Sequence, residues 1–237
     1  HRRYNRFNLV DLYALGGSGP GSFAPLKLHM VPEAAEWARC FLRAQGSTPV
    51  TIAVQVGASE AIKAWRPEYF GLTMAVISRR TPVSFILIGT EGESAAVQQA
   101  GAAYRAAKGA APLYDAVGRT TLPQLIALLA ECRLLLTNDT GPMHLAVSVG
   151  TPVVDLSVGH VDFRETGPYG RGHWVIQPEL DCAPCGFDQI CSHHACKDRL
   201  LPEEVASLCL HALGIGPFPS RVSGTRIYAS DVDEDGL

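Results

Sequence analysis

The residues best suited to chemistry lie between Leu134 and Val154, in the stretch LLLTNDTGPMHLAVSVGTPVV. Leu134 to Leu136 form a buried-strand run. Thr137, Asn138, Asp139, Thr140 and Gly141 make a polar turn, and Pro142 follows at what suits a first helical position. Proline fits there because its fixed φ is helical and its missing N–H is not needed. Gly150 supplies a C-terminal stop. A helix that opens at the carboxyl end of a strand offers free amides and the positive end of its dipole, which favours an anion such as phosphate. Asp139 and His144 flank that opening, and Thr140 and Gly141 form it. The arrangement points to a nucleotide or nucleotide-sugar diphosphate.

A second cluster is Cys182, Cys185, Cys191 and Cys196, spaced Cys-x2-Cys-x5-Cys-x4-Cys with His193 and His194 inside it. Four soft ligands at short spacing can hold zinc tetrahedrally. Reduced thiols or partial disulfides in a compact loop are the alternative. The cluster lies outside the stretch around Thr140, so its role is structural rather than catalytic and no metal is assigned. Cys40, Cys132 and Cys209 sit in apolar or helical contexts as small core fillers.

The elements that carry these residues follow from the apolar patterning. The chain has 237 residues, 47% of them apolar and 18% charged, with a net charge of −3. That balance gives no reason to expect nucleic acid or an anionic membrane as partner. No apolar run reaches bilayer-spanning length. No charged-then-apolar leader opens the sequence, so a cytoplasmic setting with reduced cysteines is expected. The first residue is His1, which suggests a piece of something longer.

Pro32 to Gln45 reads as a helix, 50–55 as a strand, Pro67 to Ser78 as a helix and 83–89 as a strand with no polar alternation. Glu93 to Lys108 is an alanine-rich helix, and 114–117 a short strand. Thr121 with Gln124 forms a capping-box pattern before Leu125 to Cys132. Strands at 133–137, 152–157 and 173–177 and a helix from Pro202 to Leu213 complete the series. Strands and helices alternating at this spacing imply βαβ units and a parallel sheet. The Gly16–Gly21 segment does not match the GxGxxG fingerprint. The acidic Asp231–Gly236 end has carboxylates placed like the start of a calcium loop but no later Glu, and reads as a solvated tail.

The sequence resembles glycosyltransferase family 9, the ADP-heptose:lipopolysaccharide heptosyltransferase family. The resemblance rests on QVGASEAIKAWRPEYF (55–70), LIGTEGE (87–93), VGRTTLPQLIALL (117–129), NDTGPMHLAVSVGTPVV (138–154) and TGPYG (166–170), followed by the cysteines, all in the family's order. It implies an α/β fold: a Rossmann-like parallel sheet with flanking helices, the C-terminal half of a GT-B glycosyltransferase. Residues 1–46 would be the linker and connecting helix from a mostly missing acceptor domain. Residues 47–215 would be the nucleotide-sugar-binding domain, and 216–237 a polar tail.

The implied activity is inverting, metal-independent transfer of heptose or a related sugar from ADP-heptose to lipopolysaccharide core or a similar glycan. It would need no cofactor. The general base would lie in the missing half, so no catalytic residue is assigned and this chain alone should be inactive. The donor-binding set is Ser59, Lys63, Glu93, Asp139, Thr140, Gly141 and His144. The amides at Thr140 and Gly141, the Thr140 hydroxyl, Ser59 and the Lys63 ammonium would stabilise the departing diphosphate. Asp139 would orient the loop or a sugar hydroxyl, and His144 would touch phosphate or sugar. Glu93 has two readings, a helix cap or a hydrogen bond to ribose hydroxyls. Trp65 could stack on the base, although packing is the simpler role. Arg164, Tyr169 and His173 could reach the sugar or form a surface loop. The membrane would be met only through a glycolipid acceptor. Rival readings are a GT-B relative using another nucleotide sugar, such as a UDP-sugar transferase or epimerase, and a non-catalytic scaffold.

Overall fold

The computed structural model describes residues 8–16, 26–185, 191–219 and 224–230. Seven strands form one sheet: β1 (Thr51–Gln55), β2 (Ser84–Ile88), β3 (Leu113–Asp115), β4 (Leu134–Asn138), β5 (Val153–Leu156), β6 (Trp174–Pro178) and β7 (Thr225–Ala229). Their spatial order is β3-β2-β1-β4-β5-β6-β7. The first six are parallel and β7 is antiparallel to β6. This is the doubly wound arrangement expected from the alternating pattern.

β1, β2, β4 and β5 are buried along their whole length, as continuous apolar strands covered on both faces must be. Ile52, Val54, Leu134, Leu136, Val154 and Leu156 pack on one side. They meet α3 (Pro67–Ser78), α4 (Ser94–Ala106) and α9 (Pro202–Ala212). Ala53, Ile86, Leu135 and Val153 pack on the other side. They meet α2 (Pro32–Ala44), α5 (Leu122–Glu131) and α6 (Gly141–Ser148). Shorter helices are α1 (Leu9–Gly16), α7 (Phe163–Thr166) and α8 (Ala195–Arg199).

The sequence punctuates these helices. α2, α3, α5, α6 and α9 each carry a proline in the first turn, where its ring costs no hydrogen bond. The capping box at α5 forms as the sequence requires. The Thr121 amide donates to Gln124 Oε1 at 2.9 Å, and the Gln124 amide donates to Thr121 Oγ1 at 3.4 Å. Gly150 adopts φ +79° where α6 ends.

Two boundaries differ from expectation. The sequence reads 216–237 as a polar tail, yet Thr225–Ala229 pairs with β6 and extends the sheet domain past residue 215. The strand escapes periodicity because it is short and lies at the sheet edge, where one flank needs no partner. α2 is docked on α5 through Ala34, Ala38 and Leu42, so the connecting helix shares the domain's core. The Gly17–Gly21 part of the glycine-rich segment and the acidic 231–237 end lie outside the described residues.

Candidate functional site

The sheet reverses its winding between β1 and β4. From β1 the chain runs outward to β2 and β3; from β4 it runs the other way to β5 and β6. The crevice at the carboxyl ends of such a pair is where open α/β sheets bind ligands. A cleft of about 680 Å³ occupies this place, and its lining includes Gln55, Ser59, Glu93, Thr121, Thr140 and Gly141. The N-terminus of α6 opens into it. A Cβ built on Gly141 would meet nothing within 4 Å, so a ligand can approach that backbone directly.

Ser59, Glu93, Thr140 and Gly141 therefore share one cleft, while Lys63, Asp139 and His144 stand beside it rather than in its lining. Asp139 is buried, and its Oδ2 accepts the Thr166 hydroxyl at 2.6 Å. Burial raises its pKa; the Thr166 hydrogen bond and the nearby charges of His144 and Lys63 oppose that rise. Lys63 ends a short 3₁₀ turn, Ala61–Lys63, with Nζ 3.2 Å from Glu60 Oε1. His144 sits half-buried on the first turn of α6.

Glu93 serves as a cap and also faces the cleft. Its Oε2 accepts the Thr90 amide at 2.6 Å and the Thr90 hydroxyl at 2.9 Å. Its Oε1 accepts Gln55 Nε2 at 2.7 Å. Two glycines give it room. A Cβ at Gly57 would lie 2.0 Å from Glu93 Oε1, and one at Gly89 would lie 2.8 Å from Oε2.

The Thr140 hydroxyl is turned inward. It lies 2.6 Å from Gln55 Oε1 and 3.1 Å from the Asn138 carbonyl, both acceptors, so its proton is committed to the protein and not to a ligand. What the loop can offer an anion is backbone amide.

Four buried polar residues outside the predicted donor-binding set stand at this end of the sheet. Gln55, Thr137 and Asp155 lie side by side across β1, β4 and β5. The Thr137 hydroxyl lies 2.7 Å from the Asn138 carbonyl and 3.1 Å from Gln55 Oε1, whereas Asp155 is fully buried with no hydrogen-bond partner for either oxygen. Asn138 donates to the carbonyls of Val56 and Gly57, both at 2.9 Å, and accepts the Trp65 amide at 2.9 Å. It thereby ties the end of β4 to both ends of the loop that carries Ser59 and Lys63. The signal available in the sequence was a polar residue closing an otherwise apolar strand: buried polar groups must find partners.

Other candidates resolve into structure. Trp65 is wholly buried against Tyr69 and Phe70 and donates Nε1–H to the Lys197 carbonyl at 2.9 Å, so it packs and cannot stack on a base. Arg164 grips Asp162 with two hydrogen bonds, at 2.9 and 2.7 Å. Tyr169 donates to Asp11 at 2.6 Å, and His173 is buried.

All four clustered cysteines are free thiols. Burial raises the Cys185 and Cys196 thiols, and each is raised further by its neighbouring cysteines. Among the described residues no group of three or more His, Cys, Asp or Glu side chains is arranged to hold a metal ion. What the segment does is grip the loop beside the cleft: Lys197 Nζ donates to the Ala61 carbonyl at 2.6 Å, and Arg66 forks onto Asp198.

The sheet order and the cleft at its switch point define a Rossmann-like α/β domain. A family model described as glycosyltransferase family 9 (heptosyltransferase) matches residues 31–195, and the chain belongs to that family. Lipooligosaccharide heptosyltransferase 2 of Campylobacter jejuni subsp. jejuni serotype O:2 is 34% identical over 90 residues, covering 37% of this chain and 28% of that protein. Lipopolysaccharide core heptosyltransferase OpsX of Haemophilus influenzae is 46% identical over 54 residues, or 23% of this chain and 15% of that protein. Two solved structures share the fold. The family 9 glycosyl transferase from Veillonella parvula superposes with a TM-score of 0.72 at 22% identity, over 88% of this chain and 60% of that one. The E. coli ADP-heptose lps heptosyltransferase II gives a TM-score of 0.63 at 22% identity, over 79% and 53%. The match therefore spans little more than half of each solved relative.

Proposed function

We propose that this chain is the donor-binding half of an inverting, metal-independent glycosyltransferase that moves heptose from ADP-heptose to lipopolysaccharide core or a similar glycan. Family membership supports the sugar transfer. The observation that carries the donor reading is the opening of α6 into a cleft at the sheet's switch point, with the Glu93 carboxylate facing the same space. The diphosphate lies against the Thr140 and Gly141 amides, and the nucleoside runs toward Glu93 and α5. In this reading the ribose hydroxyls donate to the Glu93 carboxylate.

When the anomeric bond breaks, negative charge grows on the diphosphate. Amides already aimed at it need no reorganisation and lower the barrier; losing one such donor costs about 10²–10³ in rate. Lys63 adds a positive charge once its ammonium leaves Glu60 for the phosphate. Asp139 carries a like charge and serves to hold the turn through Thr166. The base that takes the acceptor's proton belongs to the other half of the enzyme. In this reading the enzyme works in the cytoplasm, at the inner face of the cytoplasmic membrane where its acceptor is a glycolipid. Among the described residues no helix is long and apolar enough to cross a bilayer.

Calorimetric titration of the chain with ADP, UDP and GDP, each in the presence of EDTA, tests the proposal. ADP is expected to bind most tightly, with undiminished affinity under chelation and a loss of about tenfold or more in Lys63→Met. Tighter binding of UDP would move the assignment to another nucleotide sugar. Binding of none of the three would leave a scaffold domain.

A further inference from the structure

We infer that Gln55 is a positioning residue that holds the ribose-facing and phosphate-facing ends of the donor cleft in register. The inference rests on the donor reading above and names how that site is kept in shape.

Gln55 closes β1 at the switch point and is only 3% exposed. Its amide faces both ends of the cleft. Nε2 donates to Glu93 Oε1 at 2.7 Å. Oε1 accepts from Thr140 at 2.6 Å; the Thr137 hydroxyl lies 3.1 Å away and closer, at 2.7 Å, to the Asn138 carbonyl. The chemistry fixes which way round it sits. A carboxylate only accepts, so it requires the NH₂ side, and the Thr140 hydroxyl then donates to the carbonyl side. Reversing the amide would set its oxygen against the Glu93 carboxylate.

Two consequences follow. Glu93 Oε1 is anchored from below by one hydrogen bond and Oε2 is filled by two from Thr90, so the carboxylate has one acceptor site left, on Oε1, held in one fixed direction. Thr140 spends its proton on Gln55, which holds the side chain inward and leaves the adjacent backbone to meet the ligand. Glu93 and Thr140 lie 47 positions apart in sequence and are joined through one side chain on a third element. Displacing that side chain releases both ends together.

The test compares ADP with 2′,3′-dideoxy-ADP and with adenosine on the 237-residue chain and on Gln55→Met, which keeps the length and bulk but none of the hydrogen bonds. The wild-type chain should bind dideoxy-ADP roughly tenfold or more weakly than ADP, since hydrogen bonds to a charged group are the strong ones. In Gln55→Met the dideoxy penalty should shrink to about twofold and the advantage of ADP over adenosine should fall by roughly tenfold. A merely structural role would weaken all three ligands by one common factor. Unchanged ratios overturn the inference. If Gln55→Met does not fold, Gln55→Asn replaces it. Its amide survives but is one methylene short of reaching both partners, so the same loss of ratios is expected and their survival is disqualifying. A wild-type chain that binds no ADP refutes the donor reading itself. One that binds ADP with no dideoxy penalty keeps the donor reading and overturns the role of Gln55.

Discussion

Asp155→Asn should make the protein more stable at neutral pH than it is with its native residue, and by an amount that grows with pH. Asp155 sits in the middle of the sheet, fully buried, with neither oxygen hydrogen-bonded. Burial raises its pKa well above the ordinary carboxylate range. The Asp139 carboxylate pushes it further, and the Leu156 amide opposes both by less. Below about pH 4 the group is protonated in both the folded and the unfolded chain, so it contributes no pH dependence there. As pH rises, the unfolded chain releases this proton while the folded one keeps it. Stability then falls by about 1.4 kcal/mol per pH unit until the folded pKa is passed. Asparagine has nearly the shape of the protonated acid and no charge to bury. The variant should therefore differ from wild type by a constant offset near pH 4 and gain on it at that slope above. In a chain of this size each kcal/mol is about 2–4 °C in Tm. Urea unfolding of the two proteins side by side from about pH 4 to pH 8 reads the difference directly. A stability difference that stays flat across that range would mean that Asp155 ionises normally in the fold, and the account of a protonated acid would be wrong.

Other perturbations test the architecture of the site. Gly57→Ala places a methyl where Glu93 Oε1 now lies, 2.0 Å away; the carboxylate must swing out, and nucleotide affinity should drop by about tenfold or more in calorimetry. Adding Glu93→Ala to it should restore stability in thermal melts but not affinity. Asn138→Ala strands the carbonyls of Val56 and Gly57 and the Trp65 amide; a loss of about 3 kcal/mol is expected in urea unfolding. Lys197→Met removes the tie to the Ala61 carbonyl and should weaken nucleotide binding roughly threefold while Tm moves by no more than a few degrees.

Much of the fold can be read from the sequence because its signals are local. The α3 boundaries, Pro67 to Ser78, follow from a proline start and an apolar period. β2 is a continuous apolar run, and α5 announces itself by its cap. β7 is less legible: five residues, TRIYA, at a sheet edge, paired antiparallel with residues 47 to 55 positions earlier. α7 and α8 are too short for any period to register. In the cleft, the helix opening at Gly141 could be located from its own strand-turn-helix neighbourhood. The contacts of Gln55 and Asn138 could not, because each reaches a group 38 to 85 positions away. Lys63 shows the limit of a motif read alone: its residue type fits phosphate, yet in the fold it is paired with Glu60.

The clamp of α8 on the loop from Ser59 to Arg66 sets an order of assembly. Trp65 and Arg66 find their partners 132 positions further on, and Ala61 finds its partner 136 positions further on. Contacts of such separation form after nearby ones, because closing a long loop costs entropy before it gains anything. A growing chain that has already paired β1 with β2 and β4 can fix both ends of this loop through Asn138, but its middle still lacks the Lys197 tie at Ala61. The loop beside the cleft is therefore finished only when the cysteine segment arrives, and the shape of the cleft depends on chain made well after its own strands.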